Sequence, residues 1–307
     1  MFLPALLTGL LALLLPPAAF AASEPYIPRD DAEVLERVAP ASADAASLRA
    51  LKAQRRVLAA LPGNLDAAVS YARRSIALGR ATADPRYHGH AESALKPWLS
   101  LAEPPPVVRL LRATLRQQRH DFAGALADLD ALIAANPGHD QARLTRATIL
   151  MVQGRPADAL RDCNALVEAR ADLLAAATCI ASVRSLDGHA AAAIAALNAA
   201  LAEAPNAEVG ERLWALTALA EIEARQERLT AAGQHFEAAL ALLRASGEHD
   251  PYLLTAWADH LLATNRAAEA LALTRDQKPI DNLLLRHALA QAATGDAGLA
   301  DSQGQIE

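Results

Sequence analysis

From Arg109 to Leu126 the chain reads RLLRATLRQQRHDFAGAL, and from Arg143 to Leu160 it reads RLTRATILMVQGRPADAL, nearly the same phrase 34 residues later. A unit of that length cannot bury an apolar face alone, so tandem copies must stack on one another. The phase holds over three units. Ala113, Ala147 and Ala181 are in register, as are Ala125, Ala159 and Ala193, and Leu126, Leu160 and Ile194. His120, Gly154 and Gly188 fall at the turn inside each unit, and Pro137 and Pro205 close units two periods apart. Each alanine lets the opposing helix approach closely, while Leu129, Leu132, Leu166 and Leu197 fill the space beyond.

Composition points the same way. Hydrophobic residues make up 53% of the 307-residue chain and aromatics only 4%, the balance being Ala and Leu, which favour helix. β-Branched runs are few, so the chain reads as all-α. Short breaks at Leu61-Pro62-Gly63-Asn64, Pro104-Pro105-Pro106, Asn136-Pro137-Gly138, Ala204-Pro205-Asn206, Asp250-Pro251 and Lys278-Pro279 make consecutive helices antiparallel neighbours.

The pattern Ala147…Gly154…Ala159 and Ala181…Gly188…Ala193, with Pro137 and Pro205 at unit ends, resembles the tetratricopeptide repeat (TPR) family. Copies with slipped spacing follow, carrying Ala220, Ala232, Phe236, Ala239 and Leu240, then Ala258 and Ala270. An earlier copy carries Ala72, Gly79 and Ala91, with a lengthened turn expected between its helices. The resemblance covers roughly residues 65 to 295 and implies a right-handed α-solenoid of antiparallel helix pairs. Two units depart from the family by carrying Arg109, Arg112, Arg143 and Arg146 where it has bulky residues. The last copy, DNLLLRHALAQAATGD, is followed by AGLADSQGQIE, which lacks a convincing partner helix. It reads as a terminal cap, with a truncated array as the alternative.

The expected organisation is a signal peptide over 1–21, an extended lead-in over 22–40, a TPR-like solenoid over 41–300 and a tail over 301–307. The leader has an apolar stretch from Leu6 to Leu15, too short to span a bilayer as a stable helix, then an Ala19-Phe20-Ala21 cleavage signal. It lacks a Lys or Arg near its start, so an uncleaved membrane tether is the alternative. The whole chain also resembles exported repeat proteins of Gram-negative bacteria, which implies a periplasmic location. The net charge of −6 leaves no basic footprint for nucleic acid and no polybasic membrane patch.

No G-x-S-x-G, H-E-x-x-H, Walker or G-x-G-x-x-G motif is present, so no catalytic residue is assigned and the chain is not read as an enzyme. His88 and His90, with Asp84 and Glu92, form the one arrangement that suggests a metal; lacking a Cys or third His, it is read as a solvent-exposed turn, and neither metal nor cofactor is expected. Cys163 and Cys179 fall on adjoining helices of successive units, within reach of a disulfide, or pack as two buried thiols. The four arginines, with Asp128 and Asp162 also 34 apart, read as a ladder of Arg–Asp pairs in preference to a cationic strip.

The resemblance implies that first helices line a concave groove for a protein or peptide segment. Matching positions are Thr114, Thr148, Ser182, Glu221 and Asp259 in one row and Gln117, Met151, Ser185 and Leu262 in the next, hydroxyl-rich in the middle and acidic toward the C-terminal end. The expected function is an exported scaffold for protein–protein interaction. The alternative is a cell-envelope enzyme or an accessory subunit of one, and a metal carrier built on His88 and His90 stands third.

Overall fold

The computed structural model describes residues 30, 45–169, 174–275, 277 and 280–306. The expected leader, nearly all of the lead-in, and Lys278-Pro279 lie outside the described residues. Contacts divide the chain into Met1–Pro40 and Ala41–Glu307, and every helix described belongs to the second unit.

Among the described residues there are fifteen α-helices and no strand. A first helix, α1 (Ala45–Ala60), precedes α2 (Leu65–Thr82) and α3 (Arg86–Leu99). Then come α4 (Pro106–Gln118) and α5 (Phe122–Ala135), α6 (Asp140–Val152) and α7 (Pro156–Ala169), α8 (Leu174–Arg184) and α9 (Ala190–Glu203). The array continues with α10 (Val209–Arg225) and α11 (Leu229–Ser246), α12 (Pro251–Ala263) and α13 (Ala267–Arg275), and ends with α14 (Asp281–Thr294) and α15 (Leu299–Ile306). Each helix packs on the next, giving an α-solenoid of antiparallel pairs.

Local chemistry sets the helix ends. Asn64 and Asp121 cap α2 and α5 through side-chain oxygens that accept from Ala67 N and Gly124 N. Asp250 caps α12 by accepting from Tyr252 N and Leu253 N, with Pro251 in the first turn, where its missing N–H costs nothing.

One turn is used seven times. At the end of each even-numbered helix an N–H bonds a carbonyl five residues back, in the pairs Asp84/Gly79, Asp121/Arg116, Arg155/Leu150, His189/Arg184, Arg228/Glu223, Arg266/Leu261 and Asp296/Gln291. The residue before each donor is left-handed: Ala83, His120, Gly154, Gly188, Glu227, Asn265 and Gly295. This closure satisfies the last helix carbonyls. The turn between α2 and α3 is therefore as short as the others, correcting the expected lengthened one. Gly79 lies inside α2, where a Cβ would sit 2.9 Å from His88 Nε2, and Ala83 is the turn residue.

The core runs along the seam between pairs. Ala113, Ala125, Ala147, Ala159, Ala220, Ala232, Ala258 and Ala270 are completely buried. Near the C-terminus Phe236 stacks on Trp257, with ring centres 5.2 Å apart. A second correction concerns the last pair. α14 does have a partner, and residues expected as a tail form most of it: α15 packs on α14 although only Ser302 of that helix is buried. So polar a helix leaves no apolar periodicity to read.

Candidate functional site

The even-numbered helices α2 to α14 each touch the next even-numbered helix, whereas no comparable packing joins the odd-numbered ones. The sequence-predicted groove residues therefore sit on helices that are direct neighbours. Thr114, Gln117, Thr148, Met151 and Ser182 are half-buried.

The hydroxyls in this row are committed. Thr114 donates to Leu110 O at 3.1 Å, Thr148 to Leu144 O at 3.0 Å and Ser182 to Thr178 O at 2.8 Å, all within their own helices. Ser185 donates to Ser182 O and accepts from Arg225 Nη2 at 3.0 Å. What these side chains offer a ligand is acceptor lone pairs and methyl groups, not protons. The acidic end is also engaged. Glu221 accepts from the Tyr252 hydroxyl, whose pKa is pushed up first by loss of surrounding water and then by that carboxylate. Asp259, though exposed, is held by both arms of the Arg286 fork at 2.8 Å.

The arginines expected as a ladder are distributed unequally. Arg112 makes a two-pronged pair with Asp128 at 2.6 and 2.9 Å, and Arg146 the same with Asp162 at 2.6 and 2.7 Å. Arg143 adds a contact to Asp162 at 3.0 Å. Arg109 has no ion pair among the described residues; Arg116, one turn beyond Arg112, reaches Asp128 at 2.7 Å. Its position on the same helix face was the available signal.

Cys163 on α7 and Cys179 on α8 are joined in the structure, with Cα atoms 5.6 Å apart and neither side chain exposed. The histidine turn does not converge on a point. Asp84 is gripped by Arg86, Glu92 pairs with Arg119, and His90 meets Tyr87 edge-on. His88 Nε2 is buried without a hydrogen-bond partner, and burial followed by the Arg80 charge holds its pKa below the usual value. Among the described residues no three His, Cys, Asp or Glu side chains gather as a metal site.

Two clefts run beside α2. One, of about 540 Å³, lies against α1 and is rimmed by Arg73 and Arg74 over Gln54 and Ser70. The other, of about 1400 Å³, arises because α2 returns into contact with α12 across the coil. At the closing contact Ala81 and Thr82, with Pro251, Leu254 and Leu283, line a crevice of only about 10 Å³. Arg80, His88, Glu208, His249, Asp250 and Tyr252 line the larger cleft. Arg80 is open to water yet has protein around much of it, and this desolvation holds its pKa below the ordinary arginine value.

No family model matches the chain, and no curated protein sequence matches it. Solved structures do resemble it. A tetratricopeptide repeat protein from Parabacteroides merdae superposes with a TM-score of 0.54 at 14% identity, over 80% of this chain and 92% of that one. Yeast Tom70 gives 0.55 at 13% identity, over 81% of this chain and 52% of Tom70. The type IV pilus biogenesis factor PilW gives 0.50 at 16%, over 66% of this chain and 91% of PilW. With the repeated turn and the paired helices, these likenesses define the class: the fold is a TPR-like helical solenoid. Among the described residues no helix is long and apolar enough to cross a membrane.

Proposed function

We propose that this chain is a protein-interaction scaffold that works by binding, with the even-numbered helices as its concave docking face. The carrying observation is the continuous packing of those helices against one another, without counterpart among the odd-numbered ones. A layer whose members touch is the shorter arc of a curved array, so it forms the inner side. Closure of α2 against α12 then gives that side walls as well as a floor, and Thr148, Met151 and Ser182 lie midway along it. An extended segment docked there would gain contact area and acceptor groups from several units at once. Export to the periplasm is part of the proposal, supported by the Leu6–Leu15 apolar stretch followed by Ala19-Phe20-Ala21.

The test is site-specific photo-cross-linking in intact cells. A cross-linker at Thr148 is expected to trap one partner that the same group at Asn164, exposed on α7, does not. Thr148→Arg, with an unchanged circular-dichroism spectrum, is expected to abolish the product. Equal capture from both positions, or capture indifferent to Thr148→Arg, overturns the reading.

A further inference from the structure

The overall charge of −6 conceals a local excess of the opposite sign. From Ala45 to Thr82, α1 and α2 carry seven basic side chains, Arg49, Lys52, Arg55, Arg56, Arg73, Arg74 and Arg80, against the single carboxylate of Asp66, a net +6. All seven are exposed. None is in an ion pair among the described residues, whereas twelve arginines beyond α2 are. Most described arginines beyond α2 are thus matched to a carboxylate, Arg109, Arg212, Arg225, Arg244 and Arg275 being the exceptions; α1 and α2 match none of theirs, although like charges this dense repel and call for a counter-charge.

Geometry says where that counter-charge comes from. Arg73 and Arg74 rim the cleft between α1 and α2, and Arg80 faces the larger cleft one step along the same helix. Seven residues of helix separate Arg73 from Arg80, about 10 Å of axial rise. An extended peptide advances about 3.3 Å per residue, so carboxylates three residues apart match that span. A flat bilayer could meet the exposed rims but could not enter the two clefts that Arg73, Arg74 and Arg80 line. A nucleic-acid strand would bring a phosphate at every nucleotide past Asp66, Glu208 and Asp250, and the α1–α2 cleft has no aromatic lining on which bases could stack.

We propose that the α1–α2 end of the docking face receives an acidic segment of a protein partner, its side-chain carboxylates paired with Arg73, Arg74 and Arg80. This rests on the scaffold reading and specifies the chemistry of what docks. Recognition is through side chains along an extended stretch and needs no terminal carboxylate.

Fluorescence anisotropy with the purified folded chain tests it. The probe is a labelled peptide of about twelve residues, long enough to span both clefts, with Glu at every third position and blocked ends. Its counterpart with Gln in place of Glu, an oligouridylate of equal length, and vesicles of phosphatidylglycerol and phosphatidylcholine are the comparisons. The acidic peptide is expected to bind with an affinity that falls as salt rises, and Arg73→Glu with Arg74→Glu is expected to weaken it about tenfold or more. Arg80→Glu alone should weaken it less. Arg244→Glu with Arg275→Glu, reversing exposed cations on α11 and α13, should leave it unchanged. Equal binding of the Gln peptide, indifference to the Arg73/Arg74 reversal, or preferred binding of oligouridylate or vesicles that this reversal abolishes would each overturn the proposal. If cellular cross-linking depends on Thr148 and not on Arg73 and Arg74, the scaffold survives and the acidic-segment reading falls.

Discussion

The stretch α4–α7 and the stretch α11–α13 join their helices by different means. Both press completely buried alanines together at the closest approach. In α4–α7 a first-helix arginine then forks onto a second-helix aspartate, Arg112 onto Asp128 and Arg146 onto Asp162. In α11–α13 an aromatic cluster takes over, with Phe236 on Trp257, His260 on Trp257 at 5.4 Å, and the Arg266 guanidinium 5.2 Å above the indole. The changeover falls at α8 and α9, where the matching positions are Ile180 and Ala196. Arginine and aspartate vanish together, so neither is left buried alone. A two-pronged ion pair tolerates little slippage, and here the helices are 13 and 14 residues long in both units. An aromatic cluster fills volume without fixing register, and α10 and α11 have grown to 17 and 18 residues.

The sharpest way to break this comparison is Trp257→Ala. It removes two ring contacts, with Phe236 and His260, and the cation–π partner of Arg266 at a site only 4% exposed. A loss of about 4 kcal/mol is expected from the shift in the urea midpoint; a loss below about 1 kcal/mol would mean that the alanine seam alone holds α11–α13. Next is Asp162→Ala, which strands Arg143 and Arg146 without their shared acceptor. It should cost about 3 kcal/mol, because the aspartate side chain is 1% exposed and its partners 16% and 23%. Adding Arg146→Ile, which installs the combination found one unit later, should recover much of the loss. A single-variant cost under about 1 kcal/mol would put the ladder among ordinary surface pairs.

The same contrast explains what the sequence reveals. The exact 34-residue phase and the ion-pair ladder were both legible in α4–α7, because the ionic fork holds spacing and composition together. The slipped copies were visible only by their alanines. Left-handed turn residues at His120, Gly154 and Gly188 keep the 34-residue step, but the next falls at Glu227, after an α9 of the usual 14 residues and an α10 lengthened to 17. Ala83, Glu227 and Asn265 adopt that backbone without being glycine, so composition did not mark them. Residues of the docking face could be numbered from the register, but their hydrogen bonds could not: that Thr114 and Thr148 spend their protons on their own helices depends on rotamer, which periodicity does not encode. The basic α1–α2 end was readable helix by helix and disappeared only in the whole-chain sum.

A smaller effect is expected where the ladder ends. Cys163 and Cys179 tie α7 to α8 at the point where Ile180 stands in the ladder's arginine position. For a sequence separation of 16, a disulfide stabilises by up to about 3 kcal/mol through restriction of the unfolded chain. Urea unfolding of oxidised and reduced protein, with intact mass confirming each state, should show a lower midpoint after reduction. The reduced form should still fold, because buried thiols pack as small apolar groups. Coincident curves would show that the bond contributes no stability.

The smallest effect concerns the turns. Gly154 and Gly188 close α6 and α8 at φ of 70° and 91°, whereas Glu227 closes α10 at 59° and pays for its Cβ. Glu227→Gly relieves that contact and gives the unfolded chain more freedom to lose, so the net gain should be about 0.5–1 kcal/mol. Gly188→Ala should lose a similar amount. His120→Gly, at φ 60° in the ladder region, is the control that separates turn chemistry from region. Equal gains at 120 and 227 would mean that the turn behaves identically in both regions and that only the helix contacts differ. A gain at 120 without one at 227 would mean that the added length of α10 and α11 already relaxes their turn, making helix length a second point of difference between the regions.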